Sequence, residues 1–219
     1  MATWLVTGAN RGIGLELVRQ LAGRGETVIA VCRSSSDALN ALGCRVIDGV
    51  DVATDDGVDR LVAELGEQPV DVLLNNAGIL TRDSLADTDF DAMLRQFEVN
   101  AIGPLRVTRA LLSNLSDGAR VAIVTSRMGS ITDNGSGGYY GYRASKAAVN
   151  IIGSSLARDL EGRGIAVALL HPGMVATDMT GGQGIEPEVA ASGLIARIDE
   201  LDLEQTGGFW HAEGYSLPW

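Results

Sequence analysis

The sequence predicts an α/β domain built on a doubly wound, mainly parallel sheet of seven strands with helices on both faces. Three observations predict it. Short apolar runs alternate with helically periodic segments along the whole chain, the pattern of successive βαβ units. The apolar runs are nearly continuous, as parallel strands buried on both faces are. The first of them, Trp4-Leu5-Val6, passes through a glycine-rich turn directly into an amphipathic segment.

Taken in order, strands fall at 3–7, 27–32, 44–50, 70–75, 119–125 and 165–170, with a seventh in the Gly207–His211 tail. Helical patterns lie near 12–23, 36–42, 54–66, 89–114, 143–161 and 187–201. Right-handed crossovers favour two halves wound in opposite directions, with ligands at the carboxyl ends of the strands. No linker or repeat interrupts the pattern, so 1–219 reads as one domain, and the glycine-rich patches at 134–141 and 181–184 read as loops.

Composition narrows the function. A net charge of −11 argues against nucleic acid and anionic membrane surfaces, which call for a basic face. Cys32 and Cys44 are too few for a disulfide framework and read as reduced thiols. No basic leader precedes the first strand, and no apolar run reaches the roughly 18 residues of a membrane span. The expectation is a cytoplasmic protein. No Cys/His cluster points to a metal.

The first turn reads Thr7-Gly8-Ala9-Asn10-Arg11-Gly12-Ile13-Gly14. Gly8 allows a tight exit from the strand, and Gly12 and Gly14 leave room for close backbone approach. The helix that follows turns its free N–H groups and positive dipole end toward an anion such as a pyrophosphate. This is a Rossmann-type beginning. The second strand ends Val31-Cys32-Arg33-Ser34. An acid there would bind a ribose 2′-hydroxyl. Cys32 stands in its place, and Arg33, with Arg11 nearby, suits a 2′-phosphate.

Strand five ends Val124-Thr125-Ser126, and Tyr139-Tyr140-Gly141-Tyr142-Arg143-Ala144-Ser145-Lys146 follows. Of the three tyrosines only Tyr142 has a lysine four residues on, and i and i+4 share a helix face. A cation beside a phenol favours phenolate and lowers the pKa. Tyr142 can then act as general acid toward a carbonyl oxygen that Ser126 also holds. Ser130 is an alternative to Ser126, but Ser126 is better placed at the strand end. Asn100, in an otherwise apolar helical stretch, is a poor interior helix residue, and Pro104 fits a local disturbance there.

The turn 7–14, the string Asn75-Asn76-Ala77-Gly78, Asn100, Ser126, the Tyr142-x3-Lys146 pair and His171-Pro172-Gly173-Met174-Val175-Ala176-Thr177 occur in this order. Together they resemble the short-chain dehydrogenase/reductase family over essentially the whole chain, and within it the C-factor, sniffer and carbonyl reductase branch. The resemblance implies Asn100, Ser126, Tyr142 and Lys146 as the catalytic set, with Asn100 kinking its helix and holding a water beneath Lys146. It implies NADP(H) as cofactor. The cradle is Gly8, Asn10, Arg11, Gly12, Ile13 and Gly14. Arg33 and Ser34 meet the 2′-phosphate, and Asp51 and Val52 the adenine. Asn76, Ala77 and Gly78 lie along the riboses, with Tyr142 and Lys146 at the nicotinamide ribose. Pro172, Gly173, Val175 and Thr177 flank the nicotinamide. The implied activity is carbonyl–alcohol interconversion on a small organic substrate. The C-factor likeness leaves a second reading, a nucleotide-binding signalling or regulatory protein with little turnover. His171 reads as structural. The short 178–187 segment implies an open or flexible substrate side, and the family's helix pairing implies a homodimer or homotetramer.

Overall fold

The computed structural model describes all residues from Met1 to Trp219. Seven strands form one sheet: β1 (Thr3–Thr7), β2 (Thr27–Val31), β3 (Arg45–Ile47), β4 (Val70–Asn75), β5 (Leu115–Val124), β6 (Ala166–His171) and β7 (Gly208–His211). Their order is β3-β2-β1-β4-β5-β6-β7. Every neighbouring pair is parallel. The winding reverses between β1 and β4, and this opens a crevice at the carboxyl ends of those two strands.

Successive residues of a strand face opposite layers. Leu5, Ile29, Leu73, Ile123 and Leu169 pack in one apolar layer. Trp4, Val6, Val28, Leu74, Ala122 and Leu170 pack in the other. Helices α3 (Asp55–Leu65), α5 (Gly103–Ala110) and α6 (Tyr140–Leu160) contribute Leu61, Val107 and Val149 to the first. Helices α1 (Gly12–Gly23) and α7 (Pro187–Glu200), with the short α2 (Asp37–Asn40), contribute Leu17, Leu194 and Leu39 to the second.

The segment expected as one helix over 89–114 is three pieces: α4 (Phe90–Phe97), a π turn (Glu98–Ile102) and α5. The π turn surrounds Asn100, and Pro104, which has no N–H to give the helical ladder, lies two residues past it at the start of α5. Helix α6 begins at Tyr140, three residues earlier than its apolar pattern implied. Short 3-10 turns lie at 127–129, 161–163 and 178–180.

The 174–185 segment is small but is not loose. Val175 and Ile185 form a parallel bridge. Ile185 donates to the Met174 carbonyl and Ala176 to that of Ile185, each at 2.8 Å. Thr177 and Thr180 form a reciprocal capping box. At the end of the chain Trp219 stacks on Phe209 of β7, with ring centroids 5.4 Å apart.

Candidate active site

The crevice at the switch point is lined first by the glycine turn. Gly8 and Gly12 have φ of +66° and +53°. A Cβ on Gly8 would stand 2.8 Å from the Ala77 Cα, and one on Gly14 would collide with the Gly8 carbonyl. These two glycines therefore seat the turn on itself and on the 75–78 string. Gly12 faces Thr177, whose methyl lies 3.3 Å from where its Cβ would be. Helices α2, α3 and α4 are each capped by the side chain that precedes them. Helix α1 is not: Arg11 occupies its N-cap and offers no oxygen to the first turn. Its first-turn amides are left for an anion.

The polar residues around the turn are mutually tied. Thr7 Oγ1 accepts from the Asn76 and Ala77 amides at 3.0 and 3.1 Å. Asn76 Nδ2 donates to the Thr7 and Gly8 carbonyls. Asn75 reaches the other way, to Thr108 of α5 at 3.2 Å. Asn10 donates to the Ser34 carbonyl at 2.9 Å, fixing the turn to the end of β2. Arg33 is exposed and has no side-chain partner. Arg11 does have one: Asp178, at 3.3 Å, with both side chains well exposed. Asp51 is also engaged, by Arg95 of α4 and by the Ala53 amide. Burial pushes the Asp51 carboxyl up, but the Ala53 amide and Arg95 outweigh it and hold it below the usual range.

A second group gathers at the ends of β5 and β6. Ser126 is buried and lies two residues past the end of β5, capping the 3-10 turn at 127–129. Tyr142, 8% exposed, projects from the first turn of α6. Burial pushes its phenol up to about 12, and the Ser126 hydroxyl beside it pulls the other way. Lys146, one turn on, is 4% exposed and is the only lysine in the chain. Its ammonium donates to the Val124 carbonyl at 2.9 Å and lies 5.7 Å from the Tyr142 ring centroid. Burial lowers it to about 8. The expectation of a phenol pulled down by its lysine thus does not hold in this geometry. The ammonium lies over the ring and spends a hydrogen bond on Val124, so desolvation of the phenol wins. Ser130 is buried too, but its hydroxyl accepts from the Asp133 amide at 3.1 Å.

Asn100 sits in the π turn and faces the same place. Its Nδ2 donates to the Ile79 carbonyl at 2.9 Å and to Ser145 at 3.0 Å, and its Oδ1 accepts from the Ile79 amide at 2.8 Å. Both amide hydrogens are therefore spent on protein. Gly78 fills the gap between Asn100 and Lys146. A Cβ there would stand 3.3 Å from Asn100 Oδ1 and 3.7 Å from Lys146 Nζ.

A family model described as short chain dehydrogenase matches residues 2–187. The chain belongs to the short-chain dehydrogenase family. Over an alignment of 226 residues covering 100% of both chains, it is 46% identical to the 1-hydroxy-2-glutathionyl-2-methyl-3-butene dehydrogenase of Rhodococcus sp. (strain AD45). It is 48% identical over 155 residues to the C-signal of Myxococcus xanthus, covering 69% of this chain and 93% of that one. Its fold matches the carbonyl reductase Sniffer of D. melanogaster with a TM-score of 0.92 at 30% identity, covering 100% of both chains. It matches the NADPH-bound carbonyl reductase from chicken fatty liver with a TM-score of 0.89 at 27% identity, covering 100% of this chain and 99% of that one.

Within this short-chain dehydrogenase the remaining site positions take distinct places. Val52 and Val175 are buried, Pro172 is buried, and Gly173 has φ of +88° beside His211. Sequence reasoning missed two residues that shape the site. Gly129 lets the turn after Ser126 lie on the Lys146 backbone, where a Cβ would stand 2.7 Å from the Lys146 carbonyl carbon. Arg143 gathers the 136–138 loop, donating to Gly138, Ser136 and Gly137. That loop accounts for the sixteen-residue step from Ser126 to Tyr142. No helix is long and apolar enough to cross a membrane.

Proposed function

We propose that this chain is an NADP(H)-dependent oxidoreductase that interconverts a carbonyl and an alcohol on a small organic substrate, with Tyr142 as proton donor. The observation that carries this is the pairing of the Ser126 and Tyr142 hydroxyls at the strand ends, beside buried Lys146. The residues present fit a dinucleotide. The uncapped start of α1 suits its pyrophosphate, and the unpartnered Arg33 suits a 2′-phosphate. NADP(H), when bound, supplies or accepts the hydride. Ser126 and Tyr142 then hold the substrate oxygen by two hydrogen bonds. Tyr142 gives up its proton as that oxygen becomes an alkoxide, and the charge of Lys146 stabilises the phenolate left behind. A phenol held near 12 carries its proton at neutral pH. Asn100 acts through Ser145, whose hydroxyl donates to the Tyr142 carbonyl at 2.8 Å.

The relative named for a glutathionyl substrate makes thioether conjugates of glutathione one substrate class to include in a screen. The likeness to C-signal supports a second reading, a signalling or regulatory protein with little turnover. A pure nucleotide binder has no need of the Ser126–Tyr142 pair, and the pair favours the enzyme. NADPH consumption with ketones, aldehydes, quinones and oxidised glutathione conjugates separates the two readings. The enzyme reading expects turnover with at least one class, and its absence across all of them favours the binder. We place the protein in the cytoplasm, as its two unpaired thiols suit, and as a homodimer or homotetramer.

A further inference from the structure

The connection from β4 to α4 runs extended past the site and is pinned at every second residue. Ile79 exchanges two hydrogen bonds with Asn100 of the π turn. The Thr81 amide donates to Gln96 Oε1 of α4 at 2.9 Å. Asp83 reaches the start of α6, 57 residues on. Gln96 and Asn100 are four residues apart, and so they present a matching row.

The third pin bears on the chemistry. Helix α6 has no side-chain cap of its own, because its N-cap residue is Tyr139. The chain enters the helix through three consecutive left-handed residues, Gly137, Gly138 and Tyr139, with φ of +63°, +63° and +53°. Tyr139 is the only non-glycine residue with positive φ, a conformation that is costly for a bulky side chain. Asp83 holds this entry three times over. Its carbonyl accepts from the Tyr139 amide at 3.1 Å. Its carboxylate accepts from the Tyr140 amide and, at 2.9 Å, from the Gly141 amide. Gly141 in turn lies against α4, where a Cβ would stand 3.1 Å from the Met93 Cα. Tyr142 is the next residue.

We propose that Asp83 is a positioning residue for proton transfer: by capping α6 from another loop, it sets where the Tyr142 hydroxyl stands relative to Ser126. A carboxylate cap at a helix start satisfies open amides and complements the dipole. The first turn is where its loss is felt, and Tyr142 lies in that turn. This inference rests on reading Tyr142 as the proton donor.

The test is a double-mutant cycle with Asp83→Ala and Tyr142→Phe, using NADPH with phenanthrenequinone as the probe. NADPH affinity is measured separately by fluorescence, and hydrogen exchange is followed over 139–142. Asp83→Ala is expected to lower kcat about ten-fold or more, since small displacements of reacting groups are costly. NADPH affinity should stay within about two-fold, because the glycine turn is untouched. Exchange over 139–142 should quicken. Asp83→Asn keeps one side-chain acceptor and should recover part of the loss; it also carries the test if Asp83→Ala does not fold. On the Tyr142→Phe background, Asp83→Ala should cost nothing further. An unchanged kcat with unchanged exchange overturns the proposal, and so does a loss that persists in full on that background. If Tyr142→Phe alone leaves turnover intact, it is the proton-donor reading that fails, and this inference fails with it for that separate reason.

Discussion

The Lys146 ammonium donates to the Val124 backbone carbonyl at 2.9 Å, from a side chain that is 4% exposed. A charge so enclosed is held by one neutral acceptor, and burial therefore lowers its pKa from 10.5 to about 8. The unfolded chain binds this proton up to its ordinary pKa, whereas the folded chain releases it near 8. Stability from this group therefore rises between those two values. Because Lys146 is the only lysine, lysine-selective isotope labelling gives one side-chain signal. Its NMR titration should have a midpoint near 8, and one near 10.5 would contradict the enclosed geometry.

Tyr142→Phe removes only the hydroxyl. Turnover should fall by about a hundred-fold or more, the scale of general acid catalysis, while NADPH binding survives. Unchanged turnover would move the proton donor elsewhere, with Tyr139 and Tyr140 the nearest phenols.

In the proposed reading Arg33 carries the preference for the 2′-phosphate, because Arg11 is paired with Asp178. Arg33→Asp should weaken NADP(H) by about ten-fold or more, the scale of a charge-assisted hydrogen bond, and shift preference toward NAD(H). Isothermal titration with both cofactors checks it. Equal affinities in the parent protein would refute the assignment.

His171 packs edge-on against His211, with ring centroids 5.1 Å apart. Burial, then the charges of His211, Arg127 and Lys146, lower its pKa from 6.5 to about 3. The group is neutral when folded and takes a proton only on unfolding. Its contribution is complete above pH 6.5 and is lost as pH falls toward 3. His171→Gln should therefore flatten the loss of Tm between neutrality and about pH 4.5. An identical acid loss in both proteins would place the sensitivity elsewhere.

Helices α4 and α6, which we propose pair between copies, expose Phe90 at 71%, Leu94 at 63% and Ile151 at 66%. That is an apolar surface larger than a scattered single residue. Light scattering at micromolar concentration should give two or four times the 22.9 kDa of one chain. Leu94→Glu should reduce it to one. A monomeric parent refutes the assembly, and a larger mass that survives the substitution refutes this interface.

The strands and the switch point were legible because burial on both faces leaves nearly continuous apolar runs, as in Val70–Asn75 and Ala166–His171. The glycine turn and the Tyr142–Lys146 pair were legible because their spacing is local. Long-range partners were not. Nothing near Asp51 in sequence announces Arg95, 44 residues on, and nothing near Arg11 announces Asp178. Helix α6 started early for the same reason: its cap comes from Asp83, and the Gly137-Gly138-Tyr139 entry resembles plain loop in sequence. The direction of the Tyr142 shift was misread because spacing reports that a lysine is near, but not that it spends its hydrogen bond on Val124.

A π turn is an α-helix carrying one residue too many. The extra residue at 98–102 sets the rotational phase of everything after it. Deleting any one residue there would restore a regular helix and turn α5 by about 100°. Val107 and Leu111 would leave the sheet, and Thr108 would leave Asn75. Asn100 would swing away from Ile79 in the same motion. Length changes are thus ruled out in this stretch even where side-chain changes are tolerated: a frame error of one residue would cost core and site together.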